Sequence, residues 1–218
     1  MGVTLLAAMT TNVRNDLKDL DVASYLWTDA EIQRHIQHAV NDYQKIYPLV
    51  GDSTIVAVAD TNGNTRRQSL NPLPTGYLWA MRVEYPIDND PPAYLVFREE
   101  LIDQGTLYLP MGEPPAVGDS IKVWYAMVHT LSTTTSTLPT EHEEVITLGA
   151  VAYAAQAATR YSAGRLNASA WTPRGLQEFA SERTAAYLDV LARLRASYGS
   201  SGAPMPRWGQ VDREWYKL

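Results

Sequence analysis

Apolar residues recur every three to four positions in the first 50 residues, the period of an amphipathic helix. Two helices are predicted there, one over residues 3–20 and one that begins at Thr28. Thr28 and Glu31 have the spacing of a capping box, and Pro48 with Gly51 is expected to end the second helix. The apolar stripes of the two helices are formed by Leu5, Met9, Val13, Leu17 and Leu20, and by Ile32, Ile36, Ala39, Val40, Tyr43 and Ile46.

From Ser53 to Ser136 apolar positions instead alternate with polar ones, which is typical of β-strands. Six short strands are predicted, separated by segments rich in Pro, Gly and Asp. Residues 61–64, Thr-Asn-Gly-Asn, are expected to form a hairpin turn, because Asn-Gly tolerates positive φ. This punctuation favours a small antiparallel sandwich or barrel. The predicted strands are residues 54–60, 66–71, 78–85, 93–100, 106–110 and 120–129.

Helical periodicity returns after residue 137 with a segment of unusual composition. No charged residue occurs from Val145 to Thr159, and six of the ten residues from Gly149 to Ala158 are alanine. Alanine is the best helix former and lets neighbouring helices approach closely, so we expect other helices to surround this one. Thr140 and Glu143 predict a capping box at its start. The uncharged run is 15 residues, shorter than the roughly 20 that cross a membrane.

A fourth helix is predicted to begin at Thr172-Pro173 and to end at the Gly and Ser residues 199–202. Its apolar stripe is formed by Leu176, Phe179, Tyr187, Val190, Leu191, Leu194 and Tyr198. The pattern predicts an α+β fold in which a β-domain is inserted into a four-helix bundle. Residues 1–52 and 138–198 are assigned to the helical bundle, 53–137 to the inserted small antiparallel β-sandwich or barrel, and 199–218 to an extended C-terminal arm.

Composition narrows the class of protein. The 218 residues are 45% hydrophobic and include no cysteine, which excludes a disulfide framework, a thiolate nucleophile and Cys-ligated metal. The net charge of −6 argues against a protein that holds nucleic acid along its whole surface. The N-terminus lacks the basic region and long apolar core of a signal peptide. No Walker loop, nucleophile elbow or dinucleotide fingerprint occurs, so no enzyme activity, cofactor or membrane association is predicted.

The C-terminal arm is rich in Gly, Ser and Pro, yet it contains large aromatic residues. Disordered tails are usually poor in aromatics, whereas Trp, Tyr and Arg are frequent anchors of buried interfaces. We therefore expect the arm to become ordered on a partner; the alternative is that it folds back on its own bundle. The predicted partner-binding residues are Met205, Arg207, Trp208, Arg213, Trp215, Tyr216 and Leu218.

Other groups of polar residues have ordinary structural explanations. His35 and His38 have the i, i+3 spacing of metal ligands, but no H-E-x-x-H motif completes the set, and surface histidines are expected. Residues 141–144, Glu-His-Glu-Glu, lie in a first helical turn, where the helix dipole favours acidic residues. Residues 60–64 lack the later Glu of a calcium loop and predict a plain turn. The acidic residues of the β-domain are expected to be solvated, with docking of a tail protein as the alternative: Asp88, Asp90, Glu99, Glu100 and Asp103.

Three segments of the helical regions resemble the adaptor, or head-completion, proteins of tailed bacteriophages. Val13 to Asp19, V-R-N-D-L-K-D, ends the first predicted helix, and Trp27 to Ile32, W-T-D-A-E-I, begins the second, which continues from Ile36 to Tyr43 in the same manner. Leu138 to Ala154 is similar to the family's segment L-P-x-x-x-E-E-x-x-x-L-G-A-x-A-Y-A. The resemblance covers the whole predicted bundle, and its motifs are mostly caps and core positions.

The resemblance implies a structural virion protein of the neck, which forms a ring, usually twelvefold, beneath the portal of the DNA-filled capsid. Such a ring extends the DNA channel, contacts neighbouring copies, and presents a surface to the next neck or tail protein. DNA passes through it without sequence-specific binding. In several relatives a C-terminal extension docks against the portal protein, which would assign that role to residues 199–218. The protein would be made in the host cytoplasm and located at the head–tail interface.

Six arginines occur on the last two predicted helices: Arg160, Arg165, Arg174, Arg183, Arg193 and Arg195. We expect them to pair with acidic residues of a neighbouring subunit, because a channel in which DNA slides should not bind phosphates tightly. The second hypothesis for the whole chain is a ligand- or glycan-binding β-module on a helical stalk of a viral particle. Exposure of Trp79, Tyr94 and Trp124 would favour that alternative.

Overall fold

The computed structural model describes residues 5–23, 25–100, 103–162 and 173–200. These residues divide into two compact units, a helical unit (residues 5–47 and 129–200) and a β unit (residues 48–128). The fold class is α+β, as predicted, with four α-helices and two small antiparallel sheets in the described chain. Within those residues, no helix is long and apolar enough to cross a membrane.

The helical unit is built on α1 (Leu6–Leu17), α2 (Asp29–Gln44), α3 (Glu143–Ser162) and α4 (Pro173–Ser200). The predicted capping box of α2 is confirmed: the Thr28 hydroxyl accepts a hydrogen bond from the Glu31 amide (3.2 Å), and the Glu31 carboxylate accepts one from the Thr28 amide (2.8 Å). A single 3-10 turn at residues 140–142 precedes α3, which therefore begins three residues after the predicted start. α4 continues to Ser200, within the Gly and Ser residues 199–202 that were predicted to end it.

The alanine-rich helix α3 packs against each of the other three helices, as its composition predicts. Ala150 and Ala154 have no exposed surface, because side chains of α1 and α2 cover them. The buried residues that α1 and α2 contribute to this core are Met9, Val13, Leu17, Ile32, Ile36, Ala39, Val40 and Tyr43. The short alanine side chains leave no room between the helices for a larger residue.

Replacing Ala154 with Leu should lower the free energy of unfolding by about 1–3 kcal/mol, because three extra carbon atoms must enter a packed core. Ala186→Leu is the matched control, since Ala186 is an exposed residue of α4. Urea unfolding followed by helical circular dichroism would measure both variants. Equal stability of the two would contradict the burial of this face of α3.

The described residues of the β unit form seven strands in two antiparallel sheets. One sheet has the order β1-β7-β3-β4 and the other β2-β6-β5. Their inward side chains form one core, with Val83, Leu107 and Val123 almost completely buried. The strands are β1 (Leu49–Val56), β2 (Arg67–Ser69), β3 (Tyr77–Glu84), β4 (Tyr94–Leu95), β5 (Arg98–Glu99), β6 (Thr106–Tyr108) and β7 (Ser120–Met127).

The turn at residues 61–64 forms, but the prediction of a hairpin around it is wrong. Asp60 Oδ1 accepts hydrogen bonds from the amides of Asn62 and Asn64 (2.8 Å each), while Gly63 adopts a positive φ of 76°. β1 pairs with β7 and β2 pairs with β6, so the turn connects two sheets. In place of a ladder, the Gln68 side-chain amide both donates to and accepts from the backbone of Val58, each at 3.0 Å.

β1 begins at Leu49, so Gly51 lies inside a strand and does not end α2 as predicted. Its register opposite β7 explains why glycine is required there. A Cβ at Gly51 would lie 2.9 Å from a ring carbon of Tyr125 and 2.8 Å from the terminal methyl of Met127. Gly51 thus allows the Tyr125 ring to cross the strand, and the Tyr125 hydroxyl donates to the carbonyl oxygen of Asp52 at 3.4 Å.

Candidate functional site

The residues predicted to bind a partner through the C-terminal arm lie outside the described residues: Met205, Arg207, Trp208, Arg213, Trp215, Tyr216 and Leu218. The candidate site within the described chain is formed instead by the first two adaptor-like segments, residues 13–19 and 27–32. They are separated by the connector between α1 and α2, of which residues 18–23 and 25–28 are described. The structure brings these segments together around one side chain, Arg14.

Arg14 extends from the last turn of α1 and binds both ends of the connector. Its Nη1 donates to Asp19 Oδ2 at 2.7 Å. Its Nη2 donates to the carbonyl oxygen of Trp27 at 2.9 Å and to Asp29 Oδ1 at 2.6 Å, and its Nε donates to the same Asp29 oxygen at 3.2 Å. We call these four residues the Arg14 clamp. The planar guanidinium is suited to this role because its donors point in fixed directions.

Asp19 completes the clamp from the opposite side. Its carboxylate accepts from the amides of Leu26 (2.9 Å) and Trp27 (3.4 Å), and its own amide donates to the Arg14 carbonyl oxygen (3.1 Å). Lys18, which precedes Asp19, has the left-handed conformation that ends α1 (φ 56°, ψ 29°). The backbone therefore turns sharply after α1 and is held in that turn by hydrogen bonds to charged groups, the stronger kind in proteins.

The burial of the clamp decides its energetic importance. The side chains of Arg14 and Asp19 are only 8% and 7% exposed, whereas that of Asp29 is 69% exposed. A buried ion pair contributes little compared with an apolar replacement, but loss of one partner leaves an uncompensated charge away from water. Arg14 and Asp19 consequently depend on each other, while Asp29 is a solvated addition.

Above the clamp, the connector presents apolar side chains to solvent. Leu20 is 57% exposed, Val22 78% and Leu26 45%. Tyr25 is also exposed, and its ring centroid lies 3.6 Å from the Arg14 guanidinium carbon, so a cation–π contact fixes it. Trp27, by contrast, is buried in the helical core. The described residues of the connector are therefore tied at both ends and expose apolar side chains, a combination typical of a protein-binding element.

A second polar cluster, which the sequence did not suggest, fixes the points where the chain leaves the helical unit and returns to it. The His129 ring has a partner at both nitrogens: Nε2 donates to the Tyr47 carbonyl oxygen at 2.9 Å, and Nδ1 lies 3.2 Å from the Thr137 hydroxyl. The His129 amide donates to the side chain of Gln44 at 3.1 Å. Tyr47 and His129 are thus adjacent, which explains how a domain of about 80 residues can be inserted between them.

The two histidines of α2 have different environments. His38 is exposed, as predicted. His35 is buried, so the prediction of a surface histidine is wrong for this residue. The His35 Nδ1 has no hydrogen-bond partner, and burial lowers the pKa of His35 below its ordinary value. No group of three His, Asp or Glu side chains that could hold a metal ion occurs in the described chain. The 141–144 segment likewise serves packing, since Nδ1 of His142 lies 2.6 Å from the Tyr43 hydroxyl.

Replacing His35 with Leu should raise the free energy of unfolding at neutral pH by about 1 kcal/mol, because it removes an unpaired buried polar atom. The lowered pKa also means that the unfolded chain binds the proton more readily than the folded one. The contribution of neutral His35 to the free energy of unfolding is therefore fully present above about pH 6.5, and it decreases as the pH falls through that value. The variant should lose less stability on acidification.

The matched control for this prediction is His38→Leu on the same helix, which should change stability by less than about 0.5 kcal/mol. Urea unfolding at several pH values between neutral and acid measures both effects. An unchanged pH dependence in His35→Leu would show that His35 is hydrated in solution.

The aromatic side chains of the β unit give little support to a glycan site. Of the three candidates, Tyr94 is exposed, while Trp79 and Trp124 are half-buried. The guanidinium carbon of Arg82 lies 4.3 Å from the Tyr94 ring centroid, and Lys122 Nζ lies 4.8 Å from that of Trp124. Sugars stack on open ring faces, and one face of Tyr94 and one of Trp124 are already in contact with a cation. The ring arrangement is explained by packing within the sheet.

The acidic residues of the β unit differ from the predicted solvated surface in two cases. Glu99 accepts hydrogen bonds from the Tyr77 hydroxyl (2.8 Å) and from two backbone amides, at residues 80 (2.9 Å) and 105 (3.0 Å). Glu100 pairs with Arg67 at 2.8 Å. These two carboxylates join strands of the unit. Asp88, Asp90 and Asp103 are exposed, as expected, and Asp103 accepts from the Thr106 hydroxyl at 2.8 Å.

The arginines of the last two helices include two that pair within their own helix. Arg174 pairs with Glu178 at 2.9 Å and Arg193 pairs with Asp189, both at the i, i+4 spacing and both exposed. Arg183 lies over the Phe179 ring with 5.1 Å between the guanidinium carbon and the centroid. Arg165 lies outside the described residues. Pairing with a neighbouring subunit stays a prediction.

No family model matches the sequence, and no curated protein matches it. The chain is distantly similar in structure to chains of gene transfer agent (GTA) particles. A chain from the neck of an empty GTA particle, computed with C6 symmetry, has a TM-score of 0.29 and 13% identity, and the match covers 84% of this chain and 92% of the other. For a chain from the virion of a native particle the TM-score is 0.28 and the identity 13%, over 81% and 87% of the two chains.

A third match is to a chain from the neck of the native particle, computed with C12 symmetry. Its TM-score is 0.26 and its identity 13%, over 84% of this chain and 93% of the other. At TM-scores and identities of this size the likeness is too distant to support an inference, so the function is argued from the residues of this chain.

Proposed function

We propose that this protein is a structural neck adaptor of a phage-like particle, which forms a ring beneath the portal and joins the head to the tail. The observation that supports the proposal most is the Arg14 clamp. It unites two segments that resemble adaptor proteins, Val13 to Asp19 and Trp27 to Ile32, by direct hydrogen bonds. Taken singly, each segment is a set of cap and core residues; together they form one structural element with a specific buried contact.

The mechanism that we propose is assembly. Leu20, Val22 and Leu26 supply exposed apolar area that a second protein chain can bury, and the clamp ties the backbone at Asp19 and at Leu26 before that chain arrives. A preorganised loop loses little conformational entropy on binding, which favours association. In the proposal, the connector makes contacts within the neck, neighbouring copies complete the ring, and DNA passes through its channel without sequence-specific binding.

The proposal assigns the arm and the helical unit by the same resemblance, and the β unit by the surface that remains. Residues 199–218 bind the portal protein, with Trp208, Trp215 and Tyr216 as anchors. The β unit faces the next neck or tail protein. The protein is then located at the head–tail interface of the virion, and its helical unit forms the body of the ring.

Single-particle imaging of this protein mixed with the portal of the same particle would test the function directly. We expect a ring stacked on the portal, and copies that ignore the portal would refute the neck assignment. Deletion of residues 203–218 should abolish portal binding while helical circular dichroism and urea unfolding stay unchanged, since the described residues of each unit already form a core of their own. Portal binding by the folded, truncated protein would refute the role of the arm but not that of the ring.

A further inference from the structure

β1 lies at an edge of the four-stranded sheet and lacks the features that usually protect such an edge. It is eight residues long, and its register with β7 continues without a bulge. It contains no Pro and no Lys, which are the common devices against edge-to-edge pairing. Its one charge, Asp52, is 3.5 Å from Lys122 of β7. The opposite edge of the same sheet, β4, is only two residues long.

The backbone groups of every second residue of β1 point away from β7. Ala57, just after β1, donates to the Asp119 carbonyl oxygen and accepts from the Gly118 amide, so it faces β7. Because the direction alternates along an antiparallel strand, the outward residues are those at even positions. Their side chains are exposed too, and the described chain gives their amides no backbone partner on that side. These outward residues are Val50, Asp52, Thr54 and Val56.

We propose that β1 is a self-association site, at which the β1 strands of two copies pair antiparallel about a two-fold axis through Ser53. In this register Val50 of one copy lies opposite Val56 of the other, and Asp52 lies opposite Thr54. All four outward residues form hydrogen-bonded pairs; the Asp52 carbonyl oxygen already accepts from the Tyr125 hydroxyl at 3.4 Å and receives the partner amide at its second lone pair. In this pairing a valine lies opposite a valine, and the Asp52 carboxylate lies opposite the hydroxyl donor of Thr54. The outer edge of β1 is therefore complementary to an antiparallel copy of itself.

Neighbouring registers are less favourable. An axis through Asp52 places the two Asp52 carboxylates opposite each other, and like charges at opposed positions destabilise a sheet. An axis through Thr54 places Asp52 opposite Val56 and moves Val50 beyond the end of the partner strand. A shift by one residue places the outward backbone amides and carbonyls of one strand opposite residues whose backbone groups point towards β7, so no hydrogen-bonded ladder can form. The order of residues in β1 therefore selects one register and a second copy as the occupant.

The pair would join two four-stranded sheets into one of eight strands that ends in β4 on both sides. A two-fold contact is closed after two copies, whereas a ring uses head-to-tail contacts. The association is thus a property of the free protein, separate from the proposed ring, and it stands or falls independently of the neck function.

Disulfide cross-linking tests the register, since the sequence has no native cysteine. At the axis the two Ser53 residues form a non-hydrogen-bonded pair with Cα atoms about 4.5 Å apart, within the range of a disulfide. The two Thr54 residues are diagonal neighbours, roughly 7–8 Å apart and at or beyond its limit. Under mild oxidation, Ser53→Cys should form covalent dimers at least about tenfold faster than Thr54→Cys. Equal rates would overturn the proposal.

Sedimentation equilibrium tests the association without cysteine. Wild-type protein should dimerise at micromolar concentration, and Val56→Lys should weaken the dimer at least about tenfold, because it places a charge opposite Val50. Val117→Lys is the matched control: Val117 is also exposed but lies outside the strands. A wild-type protein that stays monomeric, or equal dimerisation of the two variants, would overturn the proposal.

Discussion

Replacing Arg14 with Met will destabilise the helical unit by about 3–5 kcal/mol, the largest effect we expect from a polar residue. Methionine keeps an unbranched, flexible apolar side chain but is shorter than arginine and removes every donor of the clamp. The Asp19 carboxylate, 7% exposed, would remain buried without the guanidinium that lies 2.7 Å away. The Trp27 carbonyl oxygen and Asp29 would lose their donor as well. Urea unfolding followed by helical circular dichroism at neutral pH measures the loss.

A matched variant separates burial from charge. Arg193→Met removes an i, i+4 ion pair with Asp189 on the exposed side of α4, and exposed pairs of this kind contribute about 0.3–0.5 kcal/mol. If Arg14→Met costs no more than Arg193→Met, the clamp does not stabilise the connector.

A double variant identifies the cause of the loss. Arg14→Met combined with Asp19→Leu should recover part of the stability, because the unpaired charge is gone. Recovery will be incomplete, since Asp19 also accepts from the Leu26 and Trp27 amides, which then lack an acceptor. If the loss of unfolding free energy in the double variant equals the sum of the losses in the two single variants, the effect comes from packing and not from the unpaired charge.

The clamp shows where sequence reasoning stops in this protein. The helices follow from apolar periodicity and the start of α2 from one capping box, both of which are local signals. Arg14 binds partners 5 and 15 residues away, so its role depends on the path of the connector. One signal was present: Arg14 lies four residues after Thr10 and three before Leu17, on the buried side of α1. A cation on that face requires acidic partners.

In the β unit, local patterns predict strands but not their partners. Asn62-Gly63 indicates a turn, and a turn forms there, yet β1 pairs with a strand that begins more than 60 residues later. The segment 93–100 was expected to be a single strand; it divides into β4 and β5, which belong to different sheets. The alternation of apolar and polar residues shows which face of a strand is buried. Which strands pair depends on how the buried faces pack together, and a short sequence segment does not carry that information.

Replacing Gly149 with Ala will destabilise the protein by about 1–3 kcal/mol, although alanine is the better helix former by about 1 kcal/mol. Gly149 lies in the middle of α3, where α2 and α4 approach it from two sides. A Cβ there would lie 2.6 Å from Cζ of Tyr187 and 2.9 Å from Cβ of Ala39. The Tyr187 ring cannot withdraw freely, since its hydroxyl donates to the Ala39 carbonyl oxygen at 3.3 Å.

Two further variants make the test decisive. Gly112→Ala should change stability by less than about 0.5 kcal/mol, because a Cβ at Gly112 meets no atom within 4 Å. In a Tyr187→Leu background the cost of Gly149→Ala should shrink or reverse sign, because the nearest obstructing atoms are gone and helix propensity then dominates. The coupling between the two sites in a double-mutant cycle measures how closely α3 and α4 approach. A stabilising effect of Gly149→Ala in the wild-type background would contradict that approach.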